Sequence, residues 1–225
     1  MCGRFTQRAD SKRIAREFEV AEVPAVEARY NIAPTQDVLA VHESLDGREA
    51  TFYQWGLVPS WAKDASVGAR LINARSETVQ EKPSFREAFR KRRCIIPADG
   101  FYEWQRTGGR KQPFFFRMRD ERLFGFAGLW ERWEGESGQV INSCAIQTTE
   151  ANEVLWPVHD RMPVILHPED YELWLDGDAR KLDLVKETLR PYPAGEMLGY
   201  PVGTSVNNPR SQGEGLIERA LINSA

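Results

Sequence analysis

Cys94-Ile95-Ile96, Gly100-Phe101-Tyr102-Glu103-Trp104-Gln105 and Gln112-Pro113-Phe114-Phe115-Phe116-Arg117-Met118, with Gly108-Gly109 between the last two runs, form the stretch on which the fold turns. Apolar and aromatic residues dominate each run. A Gly-Gly pair between two aromatic-rich runs signals a hairpin, because glycine enters a tight turn without steric cost. Residues 123–130 and 140–148 continue the strand pattern downstream, and residues 38–42 and 50–57 precede it upstream. Helical signals are fewer. Asp10 can cap a helix over Ser11–Phe18, with Ile14 and Phe18 on one face. Pro83 and Ser84 open a second helix, in which Phe85, Ala88 and Phe89 recur at helical spacing and residues 90–93 make a basic end that complements the helix dipole. In the last third, residues 168–175 and 179–189 read as helices and the remainder as loops. Neighbouring hairpins with interspersed helices predict an α+β fold: one domain over residues 1–225, with a largely antiparallel, curled sheet.

Composition bounds the function classes. With 225 residues, 41% hydrophobic and 28% charged, the chain is neither disordered nor fibrous. Its net charge of −3 argues against generic polyanion binding. The charge is uneven, however: residues 1–122 carry 22 basic and 17 acidic side chains, residues 123–225 carry 8 and 16. That asymmetry suggests a basic face in the first half, although a solvated surface accounts for the same numbers. No apolar run approaches the roughly 18 residues of a membrane span. The start, Met1-Cys2-Gly3-Arg4-Phe5, lacks the apolar stretch of a signal peptide, so Cys2 is not expected to be a lipid-bearing cysteine. Three cysteines, at positions 2, 94 and 144, show no C-x-x-C spacing. Reduced thiols in the cytoplasm are therefore expected, with no disulfide framework and no structural zinc site; the aldehyde chemistry open to Cys2 needs no metal or organic cofactor.

Cys2 is the most informative residue. Met1 is expected to be removed because the next residue is small, giving a mature chain over residues 2–225 that begins with an amine and a thiol on one residue. Their ordinary pKa values, about 8 and about 8.5, leave both with a reactive fraction near neutrality. Such an aminothiol condenses with an aldehyde through the amine and then closes a thiazolidine through the sulfur, an intramolecular step with high effective molarity. Three further polar residues stand in apolar surroundings: Asn73 in Leu71-Ile72-Asn73-Ala74-Arg75, Glu103 on the face of its strand shared with Phe101, and His159 beside Asp160 and Arg161. A turn amide, a solvated carboxylate and a structural histidine are the ordinary readings of these three; proton transfer is the functional one. Arg4, Arg75 and Arg161 each sit within a few residues of Cys2, Asn73 and His159. Trp55 and Trp61 bracket a short loop. Arginines on phosphates and aromatics on bases are the parts of a single-strand nucleic-acid site, and core packing is the alternative for the tryptophans.

Taken together, Met1-Cys2-Gly3-Arg4-Phe5, Arg29-Tyr30-Asn31-Ile32-Ala33-Pro34, Trp55-Gly56-Leu57-Val58-Pro59-Ser60-Trp61, Asn73-Ala74-Arg75-Ser76-Glu77-Thr78, Arg93 through Trp104, His159-Asp160-Arg161-Met162-Pro163 and Val206-Asn207-Asn208 resemble the SRAP (SOS-response-associated peptidase) family of abasic-site processing proteins. The resemblance implies a single α+β domain with a largely antiparallel, barrel-like β core flanked by helices, and a suicide-type reaction with abasic sites in single-stranded DNA, including single-strand/duplex junctions, that leaves a covalent crosslink. By this likeness Cys2 supplies imine nitrogen and thiazolidine sulfur, Asn73 orients the Cys2 amine and the sugar, Glu103 relays protons, and His159 assists sugar opening. Arg4, Arg75 and Arg161 would hold flanking phosphates, Asn31 would touch DNA near the lesion, and the Trp55–Trp61 loop would pack on bases. It further implies autocatalytic loss of Met1, for which an aminopeptidase is an equally adequate agent, and it leaves open an associated lyase activity and whether the adduct is permanent or slowly reversed. A monomer associated with DNA, and with the nucleoid if bacterial, satisfies all of this.

Three other readings stay open at this level. An N-terminal-nucleophile hydrolase of the class II glutamine amidotransferase type also begins Met-Cys-Gly and uses the terminal thiol. A Cys2–His159 thiol peptidase is the second. A plain single-strand DNA or RNA binding module, in which Cys2 is incidental, is the third.

Overall fold

Residues Cys94 and Ile96 point into one apolar cluster and Ile95 into another, so the strand that carries them is buried on both faces. The same alternation recurs at Val38 and Ala40 against Leu39 and Val41. A strand with two apolar faces needs cover on both sides, which is why these segments read as near-continuous apolar runs. The computed structural model, which describes residues 2–221, resolves how that cover is arranged.

In chain order the elements are β1 (Phe5–Gln7), α1 (Ser11–Phe18), β2 (Arg29–Ile32), β3 (Asp37–Ser44), β4 (Gly47–Trp55), β5 (Asn73–Arg75), α2 (Arg86–Lys91), β6 (Arg93–Ala98), β7 (Gly100–Thr107), β8 (Arg110–Met118), β9 (Phe124–Glu134), β10 (Val140–Glu150), β11 (Arg161–Pro163), β12 (Ile165–Leu166), α3 (Tyr171–Leu175), α4 (Leu182–Glu187) and β13 (Met197–Pro201). Strands β10, β4, β3, β6 and β9 follow one another side by side, and pairing of β9 with β10 closes the ring. The closure removes free sheet edges. Most pairs are antiparallel; β10 runs parallel to β4 and β5. The barrel is lined by Trp55, Tyr53, Phe126 and Ile146, with Phe5 and Phe101 completing that cluster. The outer face, with Leu39, Val41, Ile95 and Leu129, is covered by Ile14 and Phe18 of α1, Phe89 of α2 and Trp174 of α3. The α+β barrel expected from the sequence is therefore the fold observed.

A second sheet, in the order β13-β8-β7-β1-β2, lies beside the barrel. Its β7–β8 hairpin turns through Gly108 and Gly109, at φ 56° and 79°, with Thr107 paired to Arg110. Two successive positive φ angles in a two-residue loop match the right-handed twist of the strands, as the Gly-Gly pair predicts. After β4, Gly56 adopts φ 136°, and a Cβ there would stand 2.6 Å from the carbonyl oxygen of Gly68. No larger residue permits that approach, which folds residues 56–70 back against the barrel rim.

The α1 helix starts where the sequence says it should: Asp10 accepts the Arg13 N–H at 2.8 Å, and the helix ends on Glu19 in the left-handed region. Burial of Ile14 and Phe18 contributes roughly 1.5–3 kcal/mol each. Other expectations need correction. Arg93 is no part of a solvated basic helix end. It opens β6, is 3% exposed, and donates to the carbonyls of Phe89, Trp174 and Asp176. Burial lowers its pKa to about 10. It thus satisfies carbonyls at the C-terminal ends of α2 and α3, a task that an arginine fork meets and a short chain cannot. The last third also holds three strands, β11, β12 and β13, beside helices shorter than expected. Strand β13 contains Gly199 and Pro201 and shows little strand character on its own; pairing with β8 from Met197–Met118 to Pro201–Phe114 imposes it. Among the described residues no helix is long and apolar enough to cross a membrane.

Candidate active site and nucleic-acid interface

Strand β1 lies antiparallel to β7, with Phe5 opposite Phe101 and the Tyr102 N–H donating to the Arg4 carbonyl at 3.0 Å. Asp99 locks this pairing, accepting the Thr6 hydroxyl at 2.6 Å and the Arg8 guanidinium at 2.7 Å. The chain immediately before β1 is thereby carried along β7 toward Glu103. Cys2 is fully buried, and burial first, then the Glu103 carboxylate, pushes its thiol well above the ordinary range. The thiol is therefore held protonated in this arrangement.

Asn73 arrives from the opposite side. It opens β5, which lies parallel to β10 with Asn73 opposite Ile146. The Trp55 indole fixes the approach by donating to the Ile72 carbonyl at 2.9 Å. Asn73 Nδ2 then donates to the Cys2 carbonyl at 2.8 Å, while its Oδ1 is buried and accepts no hydrogen bond among the described residues. Glu103 is 3% exposed on the Phe101 face of β7, as strand alternation predicts. An open cleft of about 840 Å³ is lined by Arg4, Glu103, Trp104, His159 and Asn207, with Arg106 and Lys111 of the hairpin at its side.

His159 is half-buried between residues 153–158 and β11. Its Nδ1 accepts the Arg161 backbone N–H at 2.9 Å, and the Asp160 carboxylate lies 3.0 Å from the same nitrogen. These contacts compete, since a nitrogen accepting a backbone N–H has no proton for a carboxylate. The backbone donor is fixed and Asp160 is exposed, so a neutral ring that accepts the Arg161 N–H carries its proton on Nε2.

The proposed nucleic-acid contacts separate into two groups. Trp61 is exposed, with its indole donating to the Pro83 carbonyl, and Arg75 is exposed at the end of β5. Trp55, in contrast, has no exposed surface and packs edge-on to Phe5 at 5.2 Å, so it supports the core instead of stacking on bases. Asn31 is likewise fully buried: its Nδ2 donates to the carbonyls of Val206, Asn208 and Ser211, and its Oδ1 accepts from Arg4. With all of its hydrogen-bonding atoms engaged it has nothing to offer DNA in this conformation. Arg4 also donates to the Val206 carbonyl and lies over the Trp104 ring at 6.0 Å. Arg161 is held by both oxygens of Glu77 and by the Thr148 carbonyl. The sequence reading missed Trp104 and Asn207, joined by an indole-to-amide hydrogen bond of 2.7 Å at the cleft wall. Alternation assigned Trp104 to the face away from Glu103, yet both line one cleft. Removal of Met1 concerns a residue outside those described.

The chain leading into β1 sets the buried Cys2 beside Asn73 and Glu103, and the cleft that Glu103 lines also holds His159. The chain belongs to the SOS response associated peptidase (SRAP) family, whose model matches residues 1–209. It is 41% identical over 222 residues to abasic site processing protein YoqW of Bacillus subtilis, covering 97% of this chain and 99% of that one. It is 34% identical over 190 residues to abasic site processing protein HMCES of Mus musculus, covering 70% and 53%. A crystal structure of a protein from Bacteroides thetaiotaomicron matches with a TM-score of 0.84 at 28% identity, covering 98% of this chain and all of the other.

Proposed function

We propose that this protein processes abasic sites in single-stranded DNA by joining the lesion to Cys2 as a thiazolidine, acting as a monomer. The observation that carries the reading is the Asn73–Cys2 contact beside Glu103: an amide that holds the Cys2 carbonyl and keeps a buried acceptor in reserve is suited to orienting the α-amine of the same residue. The names of the relatives support the substrate class.

An abasic sugar is a masked aldehyde. His159, with its Nε2 proton, assists ring opening. After loss of Met1, the Cys2 amine adds to the aldehyde carbon, one proton passing from nitrogen to oxygen. The Glu103 carboxylate takes a proton from the ammonium form of the Cys2 amine and gives it to the departing hydroxyl, so water leaves and an iminium forms. The thiol then adds to the same carbon, and its proton passes to Glu103. One water is lost overall, and Glu103 releases the remaining proton to solvent and ends as the carboxylate it began. A thiol pushed upward by burial and a neighbouring carboxylate is poorly poised as the thiolate of a peptidase. It is well poised for this sequence, in which the S–H proton is surrendered only as the carbon–sulfur bond forms. Arg75 and Trp61, both exposed, are the proposed contacts to phosphate and base, and Arg4 and Arg161 brace the walls between them.

Intact mass spectrometry before and after incubation with single-stranded DNA carrying one abasic site tests the proposal. The expected result is a starting mass without Met1, then a gain of the DNA mass less one water that Cys2→Ala abolishes. A processed protein that gains no mass overturns it and brings glutaminase and peptidase assays forward.

A further inference from the structure

We propose that the end of the β7–β8 hairpin is a phosphodiester-binding site, where Arg106 and Lys111 hold the DNA strand as it leaves the cleft. The inference rests on the abasic-site reading for its substrate and names a contact that the reading leaves unassigned. Both residues are exposed and line the cleft that contains Glu103 and His159. They also stand directly opposite each other in the antiparallel register. Like charges at that spacing repel, so the pair weakens the hairpin that carries it, and a local conflict of this kind marks a site kept for function.

Elsewhere the molecule relieves such charge. On the other long hairpin Arg132 pairs with Glu134, and next to the cleft Arg161 pairs with Glu77. Among the described residues, no salt bridge joins Arg106 or Lys111 to a carboxylate. The cleft lining also includes Arg4, which is engaged by Asn31 and the Val206 carbonyl, Asp160, exposed beside His159, and the buried Glu103, so the cations without a protein acceptor among the described contacts are those of the hairpin. The position is also rigid. Gln105 Nε2 donates to the Pro157 carbonyl at 2.9 Å, and Gln112 Nε2 donates to the Val202 carbonyl at 2.9 Å, tying both strands to flanking segments one residue from the cations. Two cations on a tethered hairpin beside the cleft fit an anion that extends past the reacting sugar. In a strand with its lesion in the cleft, that anion is a phosphodiester.

The test uses the full chain and an intact single-stranded oligonucleotide, which binds without reacting, titrated at several salt concentrations. The double variant R106Q/K111Q is expected to bind at least about fivefold more weakly at low salt, with a log–log salt slope shallower by about 1.4, the share of two phosphate contacts on a single strand. Its thermal midpoint should equal or exceed that of the parent, because the repulsion is gone. The control K12Q/R16Q, which removes two exposed charges on α1, should leave the slope unchanged. An unchanged slope in R106Q/K111Q, or an equal loss in the control, overturns the proposal. Failure of the underlying reading is seen separately, as a parent protein that forms no adduct with abasic DNA whatever the hairpin does.

Discussion

Replacement of Asn31 by alanine separates a brace from a DNA contact. Asn31 Nδ2 shares two hydrogens among the carbonyls of Val206, Asn208 and Ser211, at 3.2, 2.9 and 3.1 Å, and Oδ1 accepts from Arg4 at 3.0 Å. In Asn31→Ala the Val206 carbonyl keeps its bond from Arg4, but those of Asn208 and Ser211 lose this donor. An orphaned buried acceptor costs about 1–3 kcal/mol; both carbonyls lie close to solvent, so the low end applies and the sum is about 2–3 kcal/mol. For a chain of this length each kcal/mol moves the midpoint by roughly 2–4 °C, which predicts a fall of about 4–12 °C by scanning calorimetry. Asn31→Asp should fall comparably, since it keeps an acceptor for Arg4 and removes both donors. Affinity for intact single-stranded DNA, measured well below the midpoint, should change by less than about threefold, under 0.7 kcal/mol. A normal midpoint with a tenfold loss of affinity would refute the reasoning, because Asn31 would then have to leave its three carbonyls to meet the DNA.

The tryptophans should split in the same way. Trp55→Ala should cost about 3–5 kcal/mol in denaturant unfolding, whereas Trp61→Ala, at 62% exposure, should leave stability within about 0.5 kcal/mol and weaken single-strand binding by about 1–3 kcal/mol; unaltered DNA binding in the second would remove Trp61 from the interface. Glu103→Gln should slow adduct formation by about a hundredfold or more while binding stays within about twofold, since it removes proton transfer and spares shape. Equal rates in a single-turnover gel assay would end its assignment. The buried thiols of Cys2, Cys94 and Cys144 all titrate above the ordinary thiol value because burial disfavours the thiolate. Their stabilisation is complete below that value and is lost as pH rises past it, because the unfolded chain releases thiol protons first. The denaturant midpoint should therefore decline above roughly pH 9, and a profile flat to roughly pH 10 would contradict the assignment.

Much of the site was legible before the fold. Cys2, Asn73, Glu103 and His159 are separated by long stretches of chain, yet each stood out locally, as a polar or nucleophilic residue in an apolar or aromatic setting. Asn73 meeting the Cys2 carbonyl is the clearest convergence. What local reading missed were residues whose role depends on a distant carbonyl or ring. Arg93 looked like the last of four basic residues in a helical end, and only the arrival of α3 gives it the carbonyls of Trp174 and Asp176. Trp55 and Trp61 look equivalent in the sequence; one is enclosed by Phe5 and the barrel, and the other stays outside. Asn31 carries no sign that residues 206–211 will fold across it.

The elements that depend on neighbours along the chain were legible in the sequence: the Asp10-capped helix, the Gly108-Gly109 hairpin and the two-sided apolar strands. Those follow from steric and chemical preferences acting over a few residues. The tertiary structure decided everything set by pairing between remote segments: closure of the barrel through β9 and β10, the strand character of β13, and which of two tryptophans faces water. It also set the upward push on the Cys2 thiol and the facing of Arg106 and Lys111 across one hairpin. Burial and charge proximity are properties of three-dimensional neighbourhood, and no local preference encodes which neighbour arrives.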